Sequence, residues 1–219
     1  MNKIPRLPRQ NRSIQTREKL IIAAIELFSQ KGFHSTNSKE IAEKSGVAIG
    51  SFYAYFKDKK ELFIEAYKYY ASLIEKELSI NADSSAQKLN PGEWKAVWKN
   101  YPTTGDNRKK LKAIITKLME VHNYYPGFPR EITVMRLLDP DIKEVIDDHE
   151  KKDMMSMIDF LRSIADDSRI NDINIAATII FRTLEVIIHE TLTIVKSSDE
   201  QEKIITEMTD MLYRYLFGN

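Results

Sequence analysis

Apolar residues recur at spacings of three and four through most of this chain, and no stretch sustains the every-second-residue alternation of a half-buried strand. That period restricts the fold to an all-α class. A first helix is expected over about Thr16–Gln30, where Leu20, Ala24, Leu27 and Phe28 share one stripe, and Gly32 supplies the left-handed residue that ends it. A second begins after Thr36 and Asn37, both able to cap the N–H groups of a helix carrying Ile41 and Ala42. From Lys59 to about Ile80, Leu62, Phe63, Ala66, Tyr70, Leu73 and Ile74 turn toward a core. Residues 81–107, with Pro91, Gly92, Pro102 and Gly105, read as a loop holding a short helix around Trp94 and Trp98. Helical periodicity resumes over about 108–125, 130–138, 140–165, 172–196 and 199–217.

Several chemistries are excluded early. The chain has no cysteine, so disulfides, thiolate nucleophiles and cysteine-held metals are ruled out. Its four histidines show no metal-binding spacing: His189-Glu190 begins like a zinc-protease motif, but Thr193 stands where the second histidine belongs. No phosphate-cradling glycine loop or nucleophile elbow is present. Neither catalysis nor a metal nor a cofactor is expected. The opening segment is polar and basic, and nowhere do 18 apolar residues run uninterrupted, so a cytoplasmic protein with no membrane partner is expected.

Charge is unevenly placed. Residues 1–60 carry 12 basic and 5 acidic side chains, a net +7, whereas residues 61–219 carry a net −6. A basic module of that size attracts a phosphate backbone and the acidic remainder is repelled by it. The bland alternative is a chance excess of surface lysines.

Within the basic module, Ser38–Lys57 (SKEIAEKSGVAIGSFYAYFK) reads as two short helices joined by a tight turn. Ala42 is small where the helices cross, Gly46 can take positive φ in the turn, and Phe52 packs back between them with Ile41 and Val47. A helix of about Ala48–Tyr55 is then left projecting outward, with dimensions that fit the major groove of B-DNA.

The segment GFHSTNSKEIAEKSGVAIGSFYAYFKDKKELF resembles the N-terminal domain of the tetracycline-repressor (TetR) family of bacterial regulators, through Gly32-Phe33, Thr36, Ile41-Ala42, Gly46-Val47, Gly50, Phe52-Tyr53, Tyr55-Phe56, Lys59 and Leu62. The resemblance implies a three-helix DNA-binding domain over residues 1–58, a linking helix over 59–80 and a helical ligand-binding and dimerisation domain over 81–219. It also implies that Thr36 and Ser38, at the start of the second helix, and Tyr53 and Lys59 contact phosphate, and their hydroxyl and ammonium donors suit that role. Base reading then falls to Ala48, Ile49, Gly50, Ser51 and Tyr55. Arg12 and Arg17 extend the basic arm, which either tracks the DNA or adds only non-specific attraction.

In the last two helices the resemblance implies a four-helix interface with a second copy, for which Ile180, Leu184, Ile187, Met208, Leu212 and Tyr215 are the expected contacts. For a small-molecule effector, Trp98, Tyr101, Tyr124, Tyr125, Phe128, Met157 and Phe181 could line an adaptable apolar cavity, with Glu185 and His189 orienting a polar group; the same residues could instead fill a core. The expected function is a ligand-responsive regulator, a repressor released from a palindromic double-stranded DNA operator by a small, largely apolar molecule. An architectural DNA binder, or a regulator answering to a protein partner, remains an alternative.

Overall fold

The computed structural model describes residues 9–78, 98, 105–164, 169–194 and 197–218, and among these every regular element is a helix. In chain order they are α1 (Arg9–Lys31), α2 (Ser38–Ser45), α3 (Ile49–Tyr55), α4 (Lys59–Leu78), α5 (Asn107–His122), α6 (Phe128–Leu138), α7 (Pro140–Ser163), α8 (Ile173–Ile194) and α9 (Ser198–Phe217). The largest departure from the sequence reading is α1, which starts seven residues before Thr16. Its extra turns are polar but free of Gly and Pro, and Thr16 sits inside the helix with its hydroxyl donating to the Arg12 carbonyl at 2.8 Å.

The helices fall into two compact units, Met1–Ala71 with Gly127–Asp139, and Ser72–Pro126 with Pro140–Asn219. By packing, then, most of α4 and all of α6 go with the N-terminal helices, a grouping the sequence periodicity does not reveal. In the first unit Leu20, Ala24, Ile25 and Phe28 of α1, Ile41 and Ala42 of α2, Phe52 of α3, and Leu62, Phe63 and Ala66 of α4 are all essentially inaccessible to solvent. Phe128 of α6 closes this core, its ring 5.6 Å from Phe63 and 5.5 Å from Tyr70, while Phe63 also meets Phe28 at 5.4 Å. At the start of α6 the backbone of Gly127 lies so close to α1 that a Cβ there would overlap the Ser29 carbonyl oxygen.

In the second unit α9 packs on α5, and α8 on both α5 and α7. Leu111, Ile115, Met119, Leu161, Ala176, Ala177, Ile180, Ile188, Ile205, Met208, Leu212 and Leu216 form its core. Trp98 belongs to it too: its ring lies 5.4 Å from Phe160 and stacks on Phe217, and its carbonyl accepts from the buried Lys110 ammonium at 2.7 Å. His122 and His189 are a polar pair inside this unit, rings 5.5 Å apart, with His122 Nδ1 2.7 Å from the Leu118 carbonyl. Burial, opposed by that hydrogen bond, pushes His122 down to about 4, and burial also lowers His189.

Two outcomes are expected. Gly127→Ala should destabilise the first unit by about 1–3 kcal/mol, because the methyl meets backbone that cannot swing aside; a urea midpoint unchanged from wild type would contradict the close approach. Acid should weaken the second unit: below about pH 6.5 the unfolded chain takes up protons that folded His122 refuses until about 4. Stability is therefore fully present above that window and lost as pH falls through it, by up to about 1.4 kcal/mol per pH unit. His122→Gln should flatten this slope when urea midpoints are compared from pH 7 to 4.5.

Candidate nucleic-acid interface

The turn between α2 and α3 follows from two local signals. Asn37 and Glu40 form a reciprocal capping box at 3.0 Å in each direction, which starts α2, and Gly46 takes φ 67°, which ends it. Of the two expected caps the chain uses Asn37; Thr36 is buried and its hydroxyl donates back to the Gly32 carbonyl at 2.8 Å. Phe52 is fully buried, and α3 presents its other side to solvent: Ala48, Ile49, Gly50, Tyr53 and Ala54 are exposed, with Ile49 at 42% and Tyr53 at 59%.

Beside this face lies an open cleft lined by Thr36, Asn37, Ser38, Lys39, Ile49, Tyr53 and Lys59. Four residues expected to touch phosphate thus converge, and the cleft adds two the sequence reading missed. Of these, Lys39 has a side chain that is 78% exposed, with Glu43 as an ion-pair partner at 3.8 Å. Its signal was available, as a cation in the first turn of a helix already assigned to the backbone.

Several expected contacts, Lys59 of the cleft among them, also bond within the protein. Lys59 Nζ donates to the carbonyls of Phe33 at 2.5 Å and Thr36 at 2.6 Å, and lies 4.1 Å from the centre of the Phe33 ring. Two of its three donors are committed, and burial lowers its pKa against the pull of Glu131 and Glu40. The Phe33 N–H donates to Glu131 Oε1 at 2.5 Å. Tyr55, expected to read bases, is half-buried and donates from its hydroxyl to Ser13 at 3.2 Å. Arg17 pairs with Glu65 and lies over the Phe56 ring at 5.5 Å, so it braces α1 on α4. Arg12 is exposed on α1, and Ser51 is half-buried.

The described members of the expected effector set are divided between the two units. Phe128 sits in the first unit's core, Tyr124 is 58% exposed, Tyr125 is half-buried near the end of α5, and Tyr101 lies outside the described residues. Trp98 and Met157 pack into the second unit's core, His189 neighbours His122, and Glu185 holds Arg182 at 2.6 Å beside Phe181. The expected interface residues divide likewise: Ile180, Met208 and Leu212 are buried within their own chain, Leu184 and Ile187 are half-buried, and Tyr215 is 43% exposed. Among the described residues, the large apolar side chains that α8 and α9 leave exposed are Ile175, Ile179, Val186, Met211 and the expected Tyr215.

Comparison with known proteins bears on the first unit most directly. Residues 20–66 match the family model described as bacterial regulatory proteins, tetR family. The HTH-type transcriptional regulator AcrR of Shigella flexneri is 32% identical over 123 residues, 56% of this chain and 54% of AcrR, so the chain spans about half the length of that curated relative. Among solved structures, a putative transcriptional regulator from Saccharomonospora viridis in complex with choline superposes with a TM-score of 0.68 at 15% identity, covering 90% of this chain and 96% of that one. The fatty acid degradation regulator FadR from Bacillus halodurans gives 0.66 at 17% identity, covering 97% and 96%. These structural likenesses extend the shared fold, an N-terminal helix-turn-helix followed by a helical domain, along nearly the whole chain. Through residues 20–66, within the domain built by α1 to α4, this chain is similar to the tetR family of bacterial regulatory proteins.

Proposed function

We propose that the protein is a transcriptional regulator that grips operator DNA as a two-fold dimer and releases it when a small, largely apolar molecule occupies the helical domain. The observation that carries this reading is the exposed face of α3 beside a donor-lined cleft, both within a segment of net +7. Ser38, Lys39 and Tyr53 hold phosphate oxygens and so set register, while Ala48, Ile49 and Gly50 approach base edges, Ile49 suiting a thymine methyl. Thr36, Lys59, Tyr55 and Arg17 act one step back, keeping α2 and α3 in place. In functional terms residues 1–58 read DNA, 59–80 link, and 81–219 sense and pair.

Pairing is assigned to the open face. Ile175, Ile179 and Val186 fall on one side of α8 at spacings of four and seven, and Met211 and Tyr215 at a spacing of four on α9. Two recognition helices one turn of DNA apart then demand a partly palindromic site, since dimer symmetry imposes its own on the operator. Repression follows if the operator overlaps a promoter. The FadR neighbour's fatty acid connection agrees with an apolar effector. The route from effector to DNA is connectivity: α6 is held in the first unit's core yet is joined in sequence to α5 and α7 of the second.

Tyr53→Phe and Ser38→Ala should each weaken binding to all sequences about fivefold, on the order of 1 kcal/mol, and Lys39→Ala should lower the salt slope of log K by about one. Ile49→Ala should instead change preference among sequences. Binding curves against a randomised duplex pool test both; a Lys39 variant with altered preference but the wild-type salt slope would overturn the division of roles. Val186→Glu should give a folded monomer by light scattering and circular dichroism, whereas Leu212→Glu should lose helix content because that side chain is core. A Val186→Glu protein that stays dimeric would move the interface elsewhere.

A further inference from the structure

Among the described residues outside the proposed DNA-binding face, one cluster of metal-ligating side chains is left unexplained by the proposed function. His149 and Asp153 lie one helical turn apart on α7, and Glu75 reaches them from the C-terminal part of α4, all three within the second unit. One donor atom from each is within 4.8 Å of the other two. His149 Nδ1 is 3.1 Å from Asp153 Oδ2, and His149 Nε2 is 3.5 Å from Glu75 Oε1.

A neutral imidazole has one N–H. Given to Asp153 at the shorter contact, it leaves the Nε2 lone pair facing a carboxylate oxygen, two donor atoms that a shared positive charge would bridge. A proton would supply it, and so would a divalent cation. The spacing suits the cation: nitrogen and oxygen donors at about 2.0–2.2 Å in tetrahedral geometry stand roughly 3.3–3.5 Å apart. A carboxylate on the far ring nitrogen is also the usual device that fixes a ligating histidine's tautomer and raises its basicity. The imidazole is well covered, with 19% of its side chain exposed, whereas Glu75 and Asp153 at 38% and 40% keep room for water ligands.

We infer that Glu75 and His149 Nε2 bind a first-row divalent transition ion, with Asp153 as the positioning residue behind the ring and water completing the coordination. Mixed imidazole and carboxylate donors favour zinc, cobalt or nickel over calcium or magnesium. Sequence spacing missed the site because Glu75 stands 74 residues before His149 and meets it only in the folded unit. The inference is independent of the DNA-binding reading and is tested without DNA.

The experiment titrates Co²⁺ into the full chain, free of any affinity tag, following the ring signals of the four histidines by NMR; the His149→Gln spectrum identifies the His149 signal. The expected result is saturation near one ion per chain, with His149 perturbed first. Glu75→Gln and His149→Gln should each lower affinity at least tenfold at unchanged helix content, and Asp153→Asn by less. An absence of saturable binding, a first response at His34, His122 or His189, or wild-type affinity in His149→Gln would each overturn the assignment.

Discussion

The turn between α1 and α2 is held by two charged side chains that come from far along the chain, and the geometry of the α2–α3 pair depends on them. Glu131 of α6 takes the Phe33 N–H, and Lys59 of α4 takes the carbonyls of Phe33 and Thr36. A glycine-ended helix leaves such groups without partners inside its own ladder, and with Phe33 half-buried and Thr36 buried they need one. Opposite charges from two other helices meet that need and attract each other as well. The start of α2, and through Gly46 the direction of α3, is therefore referred to α4 and α6 instead of to local turn chemistry alone.

This arrangement explains why residues that look like phosphate ligands are occupied elsewhere. An ammonium that bonds two carbonyls and rests on an aromatic ring has given up much of its hydration, and the same burial lowers its pKa. Its positive field still lies along the cleft, but its first task is to hold the turn. Thr36 and Tyr55 follow the same pattern on a smaller scale, each hydroxyl donating to a neighbour within the domain. Under the proposed function, the chain thus separates side chains placed to meet a phosphate from those that keep the first kind in position.

Legibility from sequence divided along the same line. Where a feature is local it was readable: the three-and-four periodicity of every described helix, the left-handed Gly32 and Gly46, the small Ala42 and the buried Phe52 all stand as the spacing implies. What depends on distant partners was not. No pattern near Phe128 says that its ring completes the core formed by Phe63 and Tyr70, because its apolar character suits a cavity wall, a core or a surface equally. Arg17 read as a free arm cation because Glu65 lies 48 residues away. The bounds of α1 were misjudged because its first turns carry no apolar stripe, and periodicity detects only helices with a face to bury.

The same distinction sharpens the question of which apolar side chains on α8 and α9 remain for a partner. A helix apolar on several sides announces burial, but not whether its own chain or another supplies the cover. Ile180, Ile188, Met208 and Leu212 are already enclosed, so their hydrophobic contribution is spent within the unit. Ile175, Ile179 and Val186 point elsewhere, and between them Arg182 is bound to Glu150 at 3.0 Å and to Glu185. Pairing its guanidinium with two carboxylates lowers the cost of covering that charge, since a desolvated cation is tolerated only when its hydrogen bonds are met. A face of α8 that is apolar, in helical register and carries Arg182 already paired is better suited to a second protein surface than to water.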